Sequence, residues 1–147
     1  MYNFTVIPPS LLEYVWFEVS QRLLSVIEVS SNELSVDGIK VSILDGKSTL
    51  IIVTSGARLF GVATLEIQTF DTGLKALYIP IIGGSHIDEW GEQFFYMCKD
   101  IAKQFGCTEL RGMAARTGWL RKLKQHDLNW KSCYEVIKYD LTGESDG

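Results

Sequence analysis

The densest run of chemistry-bearing side chains lies between Arg111 and Lys131. Arg111, Arg116, Arg121, Lys122, Lys124 and Lys131 stand there against one carboxylate, Asp127. Such a stretch suits a phosphate or an acidic protein surface. Arg116 adds a planar fork for two-point contact with a phosphate or a carboxylate. A solvated helix face with its flanks is the plainer reading, and a salt bridge within the domain accounts for Arg116 equally well. The residues carried forward as partner contacts are Arg116, Arg121, Lys122 and Lys124. Other reactive types are sparse. Glu66 and Asp88 are carboxylates that could act as a general base, but nothing beside them in sequence marks either one. His86 and His126 are too isolated to suggest a metal site. Cys98, Cys107 and Cys133 are odd in number and form no C-x-x-C, so they read as small buried hydrophobes in a reducing compartment. No catalytic, cofactor-binding or metal-binding residue is assigned.

The bulk properties narrow the class. The chain has 147 residues, 46% hydrophobic and 22% charged, which places it among ordinary globular domains large enough to bury a core unaided. The formal charge of −4 and a sequence pI of about 5.2 argue against a general nucleic-acid binder. No segment reaches the roughly 18 apolar residues needed to span a bilayer. Residues 1–10 carry neither a basic n-region nor an apolar h-region, so secretion is not expected. One domain over residues 1–142 is expected, followed by a flexible tail at 143–147, whose composition is that of disorder.

The elements that must position these side chains follow from periodicity. Ser10 followed by Glu13 is a capping-box pattern, and Leu12, Val15, Trp16, Val19, Leu23 and Val26 then recur at helical spacing. This predicts a helix over 11–27. A shorter helix fits 36–45, stopped by Gly46. Residues 48–53 read as a strand. Residues 59–70 and 74–82 are β-branched, aromatic runs joined by Asp71-Thr72-Gly73, which suits an antiparallel hairpin with a left-handed residue at its end. Gly83-Gly84 is expected to break the second of these strands. Asp88 or Ser85 should then cap a helix reaching Phe105, with an apolar stripe of Trp90, Phe94, Met97, Cys98, Ile101 and Phe105 and with Gly106 as its terminator. Residues 107–114 read as a strand and 117–125 as a short helix, basic on one side, with Trp119, Leu120 and Leu123 on the other. Residues 132–141 read as a final strand. The order gives an α+β domain, a mixed and mainly antiparallel sheet flanked by helices.

The element order and particular residues within it resemble the GNAT (N-acetyltransferase-fold) superfamily. The likeness sharpens toward a phage-encoded GNAT-like family found among head–tail genes of tailed phages. It rests on Gly83-Gly84, on Trp90 opening the next helix, on Ala102 through Phe105-Gly106-Cys107, and on Arg116-Thr117-Gly118-Trp119 followed by Arg121 and Leu123. That family's stretch reads roughly R-P-G-W-x-R-x-L-x-x-x-G-F/W. Asn129-Trp130 stands for its close, at a slightly longer spacing. The proline pair before the Trp16-bearing helix and the segment Ile39–Gly46 fit as well, so the match spans about Val6 to Leu141.

This resemblance implies a GNAT-like fold and raises the question of its cofactor. An active member holds the acetyl-CoA pyrophosphate with a Q/R-x-x-G-x-G/A loop between the fourth strand and the following helix. The glycines let backbone N–H groups approach the phosphates there. The equivalent segment here, Ile82 to Gly91, has no such match, and Asp88 and Glu89 put two carboxylates at the helix start. The tyrosine that often protonates the leaving thiolate has no counterpart between Arg116 and Asn129, and Tyr134 falls in the last expected strand. The implied reading is a non-catalytic virion accessory protein with no cofactor. It would dock on phage structural proteins such as the portal or head–tail connector, in several copies around a symmetric ring, without membrane or sequence-specific nucleic-acid contact. The alternative is a divergent N-acyltransferase using acetyl-CoA to modify a host or viral protein.

Overall fold

The computed structural model describes residues 1–27, 33–112 and 129–142. The chain divides into two compact units, Met1–Met113 and Ala114–Gly147. The first unit is a five-stranded sheet in the order β1-β2-β3-β4-β5: Asn3–Ile7, Thr49–Ser55, Arg58–Thr69, Lys75–Gly84 and Glu109–Gly112. The first four strands are antiparallel neighbours, and β5 joins β4 in parallel. Helices α1 (Leu12–Ile27) and α2 (Val36–Leu44) pack on one face, and α3 (Ile87–Gln104) on the other. This is the mixed, mainly antiparallel α+β architecture that the periodicity implies.

Alternation along the strands divides the core between the two faces. Leu50, Val62 and Ile81 join Leu12, Val19, Leu23, Ile39 and Ile43 under α1 and α2. Ile51, Val53, Ala63, Leu65 and Leu77 join Trp90, Phe94, Cys98 and Ala102 under α3. The α3 stripe repeats every fourth residue and falls in volume from Trp90 to Ala102. Ile101, expected in the core, is only partly buried at its edge. Burial pushes the Cys98 thiol up to about 12, so it stays protonated and inert. Cys107 is buried as well, but Cys133 is exposed, contrary to the reading of all three as interior residues.

Turn chemistry holds these elements in place. Gly73 has φ 88°, and Phe70 N–H donates to Leu74 O at 2.9 Å, closing the β3–β4 hairpin as expected. At the end of α3, Gly106 has φ 74°, its N–H donates to Lys103 O, and Cys107 N–H donates to Ala102 O. This is the Schellman arrangement that Gly106 predicts. It also explains why β5 starts at Glu109 rather than at Cys107. The Cys107 N–H closes the helix, and Thr108 N–H reaches Lys75 O at 3.0 Å.

Several expectations are corrected. Strand β1 gave no usable signal in the sequence. Ser10 is not an N-cap but lies inside a short 3-10 turn, Pro9–Leu11, that leads directly into α1. The strand β4 does not break at Gly83-Gly84. Gly83 pairs with Val62 and Gly84 with Gly61, so the glycines extend the ladder. They are glycines because neighbours come too close for a side chain: a Cβ on Gly83 would lie 2.3 Å from Val26, and one on Gly84 2.1 Å from Phe60 O. Residues 129–142 contain no helix or strand, and the five-stranded sheet as described does not include the expected strand at 132–141. A strand needs a hydrogen-bonded neighbour, and an alternating pattern alone does not supply one. The expected helix at 117–125, with Trp119, and the tail at 143–147 lie outside the described residues.

Two bulges shape the sheet. The β2–β3 register shifts at Val53/Thr54, placing an extra residue near Phe60. The β3–β4 register shifts between Thr64 and Glu66, setting Ile79 and Pro80 opposite Leu65. Pro80 has no N–H to donate, which suits a position where the ladder is already interrupted.

Trp90 is fully buried, and its ring occupies the space a Cβ on Gly61 would fill, 2.5 Å from the ring carbon Cζ2. Replacing Trp90 by Ala should cost about 3–5 kcal/mol of stability. Urea unfolding followed by circular dichroism measures this. A variant with the parental midpoint would mean that α3 is held mainly by other contacts.

Candidate functional site

The junction of β4 with α3 is where the sequence points for cofactor chemistry. Only Ser85 and His86 separate the two elements. His86 is the N-cap residue of α3 at φ 60°, a left-handed conformation uncommon outside glycine, and its side chain makes no capping bond. The expected cap, Asp88 or Ser85, is therefore corrected to His86. Asp88 and Glu89 lie in the first turn instead, both exposed. There they offset the positive end of the helix dipole.

The connection is fastened to the sheet at several points. Ser85 N–H donates to Phe60 O at 2.8 Å. The Trp90 indole Nε1–H donates to Ser85 O at 2.8 Å, so the link is held from beneath by the largest buried side chain of the unit. The His86 ring stands edge-on to Phe60 at 5.3 Å, Phe60 meets Tyr2 at 5.3 Å, and the Arg58 guanidinium covers Phe60 at 5.0 Å. Tyr2 closes the cluster by donating its hydroxyl to Glu89 Oε2. That bond to a carboxylate, reinforced by desolvation and by the charges of Glu89 and Asp88, holds the Tyr2 phenol above the ordinary tyrosine range, with Arg58 opposing. None of the Tyr2, Arg58 and Phe60 contacts is legible in the sequence, because Tyr2 and Glu89 are 87 residues apart.

Three features of this junction differ from a phosphate cradle. A phosphate cradle needs backbone N–H groups turned outward at an uncrowded helix start. Here the Ser85 N–H is already committed to Phe60 O, and the link has two residues. Two carboxylates stand at the helix start, where an incoming anion would meet like charge.

The other candidate residues do not converge on this place. Glu66 lies on the opposite face of the sheet, in a cavity of about 230 Å³ beneath α2 with Ser35, Ser42, Thr64 and Pro80 among its lining. Ser48 Oγ donates to Glu66 Oε1 at 2.8 Å. The two candidate bases, Glu66 and Asp88, are thus on different faces. Arg111 of the basic run is engaged locally, with Nε 3.0 Å from Glu109 Oε2 and its guanidinium 4.5 Å over Phe70. Arg116, Arg121, Lys122 and Lys124 lie outside the described residues. Among the described residues, no group of three or more His, Cys, Asp or Glu side chains could hold a metal ion, and no helix is long and apolar enough to cross a membrane.

The sequence matches no protein-family model and no curated protein. Solved structures do resemble it. An acetyltransferase from Trypanosoma brucei superposes with a TM-score of 0.64 over 96% of this chain and 100% of its own, at 15% identity. A predicted acetyltransferase from Clostridium acetobutylicum, solved with acetyl-CoA, gives 0.67 over 98% and 99%, at 12% identity. A ribosomal-protein-alanine N-acetyltransferase from Brucella melitensis biovar Abortus gives 0.63 over 93% and 99%, at 18% identity. The fold is that of the GNAT acetyltransferases. At these identities the likeness fixes the GNAT fold and leaves the chemistry to the site.

The Tyr2–Glu89 bond has a pH signature. Below the ordinary tyrosine pKa the phenol is protonated in both the folded and unfolded chain, and the bond contributes in full. As pH climbs through the raised folded pKa, that contribution is lost. In an ultraviolet titration of the folded protein, Tyr2→Phe should remove one phenol that ionises above the ordinary range. Loss of an ordinary phenol instead would mean that Tyr2 and Glu89 are not bonded in solution.

Proposed function

We propose that this GNAT-fold protein works by docking on a protein partner and carries out no acetyl-CoA-dependent transfer. One observation carries the reading. The β4–α3 link, where a GNAT enzyme holds its pyrophosphate, is a two-residue connection fastened by Trp90 and Phe60 and fronted by Asp88 and Glu89. The scaffold persists, and the feature that would bind the cofactor has been given over to packing. The resemblance of Arg116–Leu123 and its neighbours to a phage-encoded family suggests the setting: a virion accessory protein at the portal or head–tail connector, present in several copies. The basic residues Arg116, Arg121, Lys122 and Lys124 are then the proposed contacts, steering encounter with an acidic surface.

A second reading has its own support. Similarity over nearly the whole chain to a structure solved with acetyl-CoA, and to a ribosomal-protein-alanine N-acetyltransferase, favours a divergent N-acyltransferase with a protein substrate.

Calorimetric titration with acetyl-CoA and CoA separates the two. The docking reading expects no saturable heat, whereas a one-to-one isotherm near ~10 μM, about −7 kcal/mol, would give the site to the enzyme. In particles of a source phage, reversing Arg121, Lys122 and Lys124 to Glu should reduce incorporation and leave the fold intact, since exposed charges add little to stability. Wild-type protein missing from such particles would end the virion assignment.

A further inference from the structure

The cavity beneath α2 is polar where the neighbouring core is apolar. Its volume is about 230 Å³, and its sheet side carries Thr64 and Glu66 of β3, with Ser48 from the turn before β2. Thr64 is 1% exposed, yet among the described residues its Oγ1 has no hydrogen-bond partner. A buried hydroxyl left unpaired is costly, and native proteins pair nearly all such groups. Glu66 is half-buried. Its Oε1 accepts from Ser48 Oγ at 2.8 Å, and among the described residues its Oε2 has no partner. The α2 side adds Ser35 and Ser42, and the exposed Glu33 also lines the cavity. The β3–β4 bulge falls at the same level, so that Pro80 and Ile81 both line it.

We propose that this cavity binds a guanidinium group, carried by a small ligand or by an arginine side chain of a partner protein. An occupant must donate to Glu66 Oε2. With two carboxylates and no lysine or arginine in the lining, a cation is favoured. A metal ion is poorly served, because among the described residues no three His, Cys, Asp or Glu side chains come together.

Spacing chooses between an ammonium and a guanidinium. Ser48 holds the Glu66 carboxylate, and Thr64 lies two residues back on the same face of β3, about 6–7 Å along the strand. A tetrahedral ammonium bonds acceptors no more than about 5 Å apart, whereas the outer N–H groups of a guanidinium reach acceptors about 7 Å apart. The planar cation is also the more weakly hydrated, which suits a partly enclosed cavity. At the roughly 30 Å³ that a water takes in the liquid, the volume admits about seven non-hydrogen atoms, a guanidinium on a three-carbon stem. Binding here asks nothing of the β4–α3 junction, so it stands apart from both readings of function.

Heteronuclear NMR titration of the full chain with n-propylguanidine tests the site. Saturable shifts should appear at the cavity residues, with a dissociation constant below about 1 mM. n-Propylammonium should bind at least about tenfold more weakly. Glu66→Gln should weaken propylguanidine binding at least about 30-fold, and Thr64→Val about tenfold. Thr64→Val should also raise the melting temperature, since it removes a buried hydroxyl that has no partner, and that rise shows that the fold survives. Arginine blocked at both ends supports the site in either order: tighter binding than propylguanidine assigns it to a protein side chain, and weaker binding to a free ligand. No saturation by either guanidinium up to about 10 mM, or indifference to Glu66→Gln, would overturn the site. Equal binding of propylammonium, or indifference to Thr64→Val, would overturn the guanidinium bridge from Glu66 to Thr64.

Discussion

The contact of Trp90 with Gly61 fixes the geometry of the β4–α3 end of the molecule. A tryptophan can lie this close to a strand only where the strand has no side chain, and Gly61 supplies that gap. The same indole donates to Ser85 O, so one residue joins β3, the end of β4 and the start of α3. Gly61 pairs with Gly84, and Val26 of α1 presses on the adjoining Gly83 from the other face. Both layers of helix therefore approach the sheet closely around one glycine-rich patch. The conformation of the β4–α3 link follows from that packing.

The rest of the GNAT fold does not depend on the conformation of that link. The sheet, the helix order and the Schellman end of α3 depend on apolar alternation and on glycines at Gly73 and Gly106. The junction is a local feature within that frame. Acidic residues at the helix start stabilise the helix itself. Tyr2 and Phe60 hold it from strands distant in sequence.

Much of the fold could be read from the sequence because its signals are local. The 3.6-residue spacing from Trp90 through Cys98, the hairpin at Asp71–Gly73 and the glycine after α3 each declare themselves within a short window. The failures have equally definite causes. Strand β1 is five residues at the sheet edge, with one buried side chain, Ile7, so its pattern is too weak to stand out. Gly83-Gly84 looked like a break because close packing from both sides cannot be seen in one dimension. The N-cap fell on His86, whose side chain makes no capping bond, so no capping pattern in the sequence marks it. For the site, Asp88 and Glu89 were identifiable as carboxylates at the helix start, and Trp90 as part of the apolar stripe of α3. Their fastening to Tyr2, Phe60 and Gly61 was not, since those partners arrive only through sheet pairing.

The bulge at Ile79–Pro80 has a consequence for how β4 is written. In a regular strand, residues four apart share a face. Leu77 and Ile81 do not: Leu77 lies under α3, and Ile81 lies under α1 and α2. The extra residue inverts the alternation, so β4 carries two consecutive segments in opposite phase. It behaves like a sentence with a frameshift built into its middle. Its first half is spelled for one layer of helices and its second half for the other, and the length of the strand is part of its meaning as much as its composition.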